Sequence, residues 1–221
     1  MTVTLVFLAV MMALFGGWLF SHSINVRPWE AQGAGASRSQ LPPALTAPRV
    51  GLAVFLAVAT SLFALTISAY LMRQEMGHDW RPLTVPGLLW WNSVCLVLGS
   101  VALQSAWQAA RRDNAARLRR DLLLGGGFTI VFILGQALAW WQLQARGIYL
   151  AANPANAFFF LLTALHVLHL LGGLFAWSRS LFRLQRGATP REMLPSVELC
   201  ALYWHFLLLV WGILFALLLT T

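Results

Sequence analysis

The chain has 221 residues, of which 59% are hydrophobic and only 10% charged, whereas soluble globular domains carry about 25% charged residues; an ordinary soluble domain is excluded and a membrane protein is expected. The formal net charge of +8 does not mark a nucleic-acid binder, because such a protein gathers its basic residues on one solvated face and here they fall in short gaps between apolar runs. All fifteen basic residues are arginine.

A membrane helix needs about 20 mostly apolar residues, and six stretches qualify. Val3 to Phe20 comes first. A cleaved signal peptide is the competing reading of this stretch, but it lacks a positive n-region and is followed by "SHS", a poor cleavage site. The gap from Ser21 to Arg49 contains "QGAGASRSQLPPALTAP", a flexible linker by composition. Then follow Gly51 to Leu71, Pro86 to Trp107, Leu122 to Leu143, Ala155 to Trp177 and Val197 to Leu219. The expected fold is all-α, a polytopic membrane bundle of six transmembrane helices. Residues 1–49 would supply one N-terminal helix and a cytoplasmic linker, and residues 50–221 a five-helix bundle. The glycines of "LLGGGF" and "HLLGG" predict close helix approaches. Trp80, Trp90, Trp91, Trp107, Trp140, Trp141 and Trp177 fall mostly near span ends, as an interfacial aromatic belt requires. Cys95 and Cys200 lie in separate apolar runs, without the spacing of a zinc, dinuclear copper or iron–sulfur site, and read as small packed hydrophobes.

The arginines set the orientation. Arg27, Arg38, Arg49, Arg111, Arg112, Arg117, Arg119, Arg120, Arg179, Arg183, Arg186 and Arg191 follow the odd-numbered spans, and only Arg73, Arg81 and Arg146 follow the even ones. The positive-inside rule places the first set in the cytoplasm and both termini outside.

Ionisable groups within the hydrocarbon cost about 2.5–3.5 kcal/mol on insertion scales, so each should face protein or water. Here they are Glu198, His166, His169 and His205, with Asn92, Gln104 and Gln136 as neutral polar additions. At ~1.5 Å per residue, His205 lies roughly 12 Å and His166 and His169 roughly 16 and 12 Å from the cytoplasmic ends of their spans. Spans five and six should therefore press their histidine faces together, with Glu198 two turns nearer the cytoplasm on the same face. Four readings of this cluster stand: hydrogen-bonding glue between helices; a lipid-headgroup site completed by Arg119, Arg120 and Arg183; a proton relay through Glu198; and a metal or haem site. The last is the weakest, because two histidines one turn apart on one helix cannot clamp opposite faces of a haem iron.

The closing "ELCALYWHF", Glu198 to Phe206, resembles the final-helix signature of subunit III of the haem–copper terminal oxidases, a glutamate seven residues before the histidine of a Tyr-Trp-His-Phe run. "FFFLLTALHVLHLLGG", Phe158 to Gly173, is similar to a second signature of that family, and "WNSVCLVLGS" more loosely to a third. Departures are Ala139 and Trp140 one turn after Gln136, where many members carry an acid, and Leu208 where many carry aspartate. The resemblance implies a non-catalytic subunit of an oxidase that reduces oxygen to water and pumps protons in the bacterial inner membrane. It implies contact with subunit I, which holds haems and copper, with subunit II and other oxidase subunits, and with bound phospholipid in a V-shaped cleft. This chain would carry no cofactor of its own. An accessory subunit of a nitric oxide reductase and a small proton-coupled transporter are the alternatives.

Overall fold

A computed structural model describes residues 46–76, 80–81, 86–150 and 152–220. The expected first span and most of the linker lie outside the described residues. Within them the chain forms five long apolar helices: α1 (Ala47–Met76), α2 (Leu88–Arg111), α3 (Ala115–Ala145), α4 (Pro154–Gln185) and α5 (Pro190–Thr220). All five are long and apolar enough to cross a membrane.

Local sequence explains where these helices start and stop. Asn114 caps α3 by accepting from the Arg117 backbone N–H at 2.9 Å, and Asn153 caps α4 by accepting from that of Ala155 at 3.2 Å, with Pro154 in the first turn. Before α5, Thr189 and Glu192 bond reciprocally through side chain and backbone, a capping box. Gly147 and Gly187 follow α3 and α4 with φ of +78° and +92°, the left-handed residue that ends a helix. Hydropathy marks only the apolar middle of each helix. The ladder runs on through Arg117, Arg119 and Arg120 in α3, Arg179 and Arg183 in α4, and Arg191 in α5. Long arginine stems let a helix leave the hydrocarbon without breaking.

Helices α2, α3, α4 and α5 pack as a four-helix bundle, and α1 lies along α4 and α5. Burial ranks them. Only 11% of the apolar window of α1 is buried, against 44% in α4 and α5, so α1 is peripheral. Ala59, Phe63 and Tyr70 are its inward face. The arginine-rich ends meet: Arg49 Nη2 lies 2.9 Å from Glu198 Oε1, and Arg191 Nε 3.2 Å from Asp113 Oδ2. At the opposite end, the Asn153 side chain donates to the Arg81 carbonyl at 2.6 Å, and Trp80 packs edge-on against Tyr70.

Two sequence expectations change here. Gly125, Gly126 and Gly173 do admit close neighbours, but Gly127 and Gly172, beside them in the same runs, face open space. Not all the tryptophans form a belt. Trp90, Trp91 and Trp141 are exposed near one end, whereas Trp140 and Trp177 turn inward as donors, to Thr163 Oγ1 at 3.0 Å and to the Leu122 carbonyl at 2.9 Å. Both bonds join α3 to α4. Trp204 donates to Thr129 Oγ1 at 2.8 Å and Trp211 to Ser93 Oγ at 2.9 Å, tying α5 to α3 and α2.

A side chain at Gly126 would overlap the Trp177 indole, while one at Gly127 meets nothing within 4 Å. Overpacking of this kind costs about 1–3 kcal/mol. Gly126→Val should lower the melting temperature of the purified protein by several degrees and Gly127→Ala leave it unchanged, as measured by thermal unfolding in detergent.

Candidate functional site

The structure does not gather the four expected residues into one cluster. His166 is fully buried, its ring packed against Phe132 at 5.7 Å, Trp211 at 5.2 Å and Phe63 at 6.4 Å between centroids. His169, one turn on, is half-buried and lies toward α1, 5.1 Å from the Phe63 ring and 6.1 Å from that of Phe55. His205 points the other way. It is exposed on the outer stripe of α5, between Leu202 and Leu209.

Two of the rings are fixed by their own helices. His169 Nδ1 lies 2.7 Å from the Leu165 carbonyl and His205 Nδ1 2.5 Å from that of Ala201. A carbonyl only accepts, so each Nδ1 carries a proton and donates it, which leaves Nε2 outside this bond. The bond that joins α4 and α5 at this level is made by a residue that sequence reasoning passed over: Tyr203 donates its hydroxyl to the His169 carbonyl at 2.9 Å.

Glu198 belongs to a different contact. Both its oxygens accept from Arg49 Nη2, at 2.9 and 3.0 Å, so the carboxylate ties α5 to the start of α1. None of the hydrogen bonds among the described residues connects it to a histidine. Arg49 had counted only as a topology signal, and nothing in its spacing from Glu198 reveals the pair. Asp121 was also missed. It sits just before the apolar run of α3, is 3% exposed, and accepts from Ser105 Oγ at 2.6 Å, Arg120 Nε at 2.9 Å and Arg117 Nε at 3.4 Å.

These contacts separate the three arginines assigned to a lipid headgroup. Arg120 is committed to Asp121, and Arg119 is exposed on α3. Arg183 lines a groove of about 480 Å³ between α1, α4 and α5. Leu52, Phe55 and Trp204 give the groove apolar walls, and the bare backbone of Gly172 and Gly173 deepens it. Arg179, Arg183 and Ser196 sit at its arginine-rich end, with Arg183 Nη1 3.4 Å from Ser196 Oγ. Arg179 and Ser196 join Arg183 there because they lie on facing turns of α4 and α5. Asn92 and Gln136 are buried deep in the four-helix bundle, away from this groove.

Among the described residues, no three His, Cys, Asp or Glu side chains come together as metal ligands do. His166 is enclosed by aromatic rings, and His169 and His205 each commit Nδ1 to the backbone.

A family model described as cytochrome c oxidase subunit III matches residues 3–220 of the chain. The cytochrome c oxidase subunit 3 of Synechocystis sp. is 30% identical over 175 residues, covering 76% of this chain and 72% of that protein. The probable cytochrome c oxidase subunit 3 of Mycobacterium leprae is 31% identical over 170 residues, covering 75% of this chain and 84% of the relative. The cytochrome c oxidase subunit 3 of Thermostichus vulcanus is 28% identical over 176 residues, covering 76% and 85%. With five helices of membrane-spanning length and a match along nearly its whole length, the chain is a multi-pass membrane protein that belongs to the cytochrome c oxidase subunit III family.

Proposed function

We propose that this chain is the non-catalytic third subunit of a proton-pumping haem–copper oxidase, which takes electrons from cytochrome c and reduces oxygen to water at a bacterial inner membrane. The observation that carries this reading is the family match over residues 3–220. The relatives' names favour cytochrome c as donor, and their organisms are bacteria. Haem and copper would reside in partner subunits, since no three His, Cys, Asp or Glu side chains come together as metal ligands do among the described residues. Its own contribution is mechanical. Four helices cross-linked by indole and phenol donors, with α1 alongside, would offer subunit I a rigid apolar face.

The groove between α1, α4 and α5 supports a second part of the same reading. Its walls suit an acyl chain and its arginine-rich end suits a phosphate, so we assign it to a structural phospholipid held by Arg179 and Arg183. Each arginine near an anionic headgroup contributes about 1 kcal/mol. Glu198, held by Arg49, keeps α1 against α5 and so keeps one wall of this groove in place.

Two measurements test these statements. Purified alone, the chain should show no haem absorbance, and from native membranes it should co-purify with a haem-bearing partner; stoichiometric haem in the isolated chain would overturn the assignment. For the groove, Arg179→Gln with Arg183→Gln should weaken retention of anionic phospholipid about tenfold or more, read by lipid mass analysis of the purified assembly, without altering its haem spectrum. Unchanged lipid content would remove the groove from the account.

A further inference from the structure

The four-helix bundle encloses a polar layer that its protein hydrogen bonds leave open. Asn92 on α2 is 3% exposed, and Gln136 on α3 and His166 on α4 are 0% exposed. Asn92 Nδ2, Gln136 Nε2 and Oε1, and both ring nitrogens of His166 make no hydrogen bond to another protein group.

Neighbouring contacts put these groups at one level. The Asn92 carboxamide packs on Gly135, where any side chain would overlap it, and Gln136 is the next residue. Trp140 donates to Thr163, and since α3 and α4 run in opposite directions, Gln136, one turn back on α3, stands level with the turn of α4 that carries His166. The His166 ring rests on Phe132, one turn from Gln136, and on Trp211, whose indole donates to Ser93 beside Asn92. Three helices thus deliver two carboxamides and an imidazole to a single layer, and α5 adds Trp211 to its aromatic wall. The bilayer supplies no water from outside to such groups, so whatever satisfies them is inside the bundle.

The groups do not satisfy one another. Asn92 Nδ2, Gln136 Nε2 and Oε1 and both His166 ring nitrogens are buried without a protein partner, so open N–H donors and open acceptors meet at one level. The layer consists of two carboxamides and an imidazole, with no acid or arginine that would call for an ion. The missing partner must both accept and donate and must be small.

We infer that this layer is a binding site for ordered water, held by Gln136 and His166 with Asn92 at its edge, and that the water completes the packing of α2 to α5. Buried waters of this kind make about three hydrogen bonds and are costly to remove. The inference stands apart from the lipid groove, which shares none of these residues.

A structure of the intact oxidase assembly, at a resolution that shows ordered solvent, tests it on the unaltered protein. Expected is a water peak within hydrogen-bonding distance of both the Gln136 amide and the His166 ring. A layer without solvent, with Gln136 bonded directly to His166, would overturn the proposal. Variants give a second readout in the melting temperature of the assembly. Gln136→Leu should lower it by stranding His166, and Gln136→Leu combined with His166→Phe should recover at least half of the loss, because an apolar pair leaves nothing for water to satisfy. A double variant less stable than Gln136→Leu alone would count against the site.

Discussion

Inside a bilayer a buried N–H has no solvent to turn to, and the fold of this chain depends on where its indole and phenol donors find acceptors. Trp140 and Trp177 bind α3 to α4, Trp204 binds α5 to α3, Trp211 binds α5 to α2, and Tyr203 binds α5 to α4. Interhelical hydrogen bonds in membranes are worth about 0.6 kcal/mol on average and up to about 1.7 kcal/mol. As attraction they are modest. Their larger effect is selective, because any other rotation of a helix about its axis strands a polar group in hydrocarbon. Between them pack large apolar residues with no exposed surface, among them Leu96, Leu103, Phe132 and Leu143.

Glycines set how near those donors come. Gly125 meets Leu103 and the backbone of Gly99, Gly126 receives the Trp177 indole, and Gly173 lies against Tyr203 and Trp204. Each is small where a ring or a neighbouring helix arrives. Gly172 does something else: with no neighbour of its own, it deepens the groove between α1, α4 and α5. The two polar features therefore sit at different depths, an enclosed layer within the four-helix bundle and an open groove toward the arginine-rich end. The first serves packing among α2 to α5, and the second faces what lies outside the chain.

Much of this was legible in the sequence. Hydropathy located the five described helices, because burying a backbone in lipid demands long apolar helices and little else. Their ends were not legible, since arginine-bearing turns continue the helix where hydropathy has already fallen, as Arg117 to Arg120 do in α3. The motif residues were found, but not their partners. Counting 1.5 Å per residue gives a level along a helix, and Tyr203, two residues before His205, does bond to the His169 carbonyl. It does not give the direction a side chain faces. That depends on which helices flank it, and His205 turns outward while His166 turns in. Tryptophans near span ends were assigned to the interface by a statistical habit, whereas Trp140 and Trp177 face acceptors on a neighbouring helix. Arg49 and Glu198 are 149 positions apart in the chain, and only the folded arrangement of α1 beside α5 brings them together.

The most direct test of this account removes one buried acceptor. Thr129 Oγ1 accepts from Trp204, and both residues are 0% exposed. In the intact oxidase assembly, Thr129→Val keeps the shape and strands the indole, while Thr129→Ser keeps an acceptor. If interhelical donors hold a structural subunit together, the valine variant dissociates from its partners at a temperature several degrees lower, the serine variant stays close to the original, and both keep the original haem spectrum and initial turnover. Equal dissociation temperatures for the valine variant and the original, or an altered haem spectrum in a fully assembled complex, would contradict it.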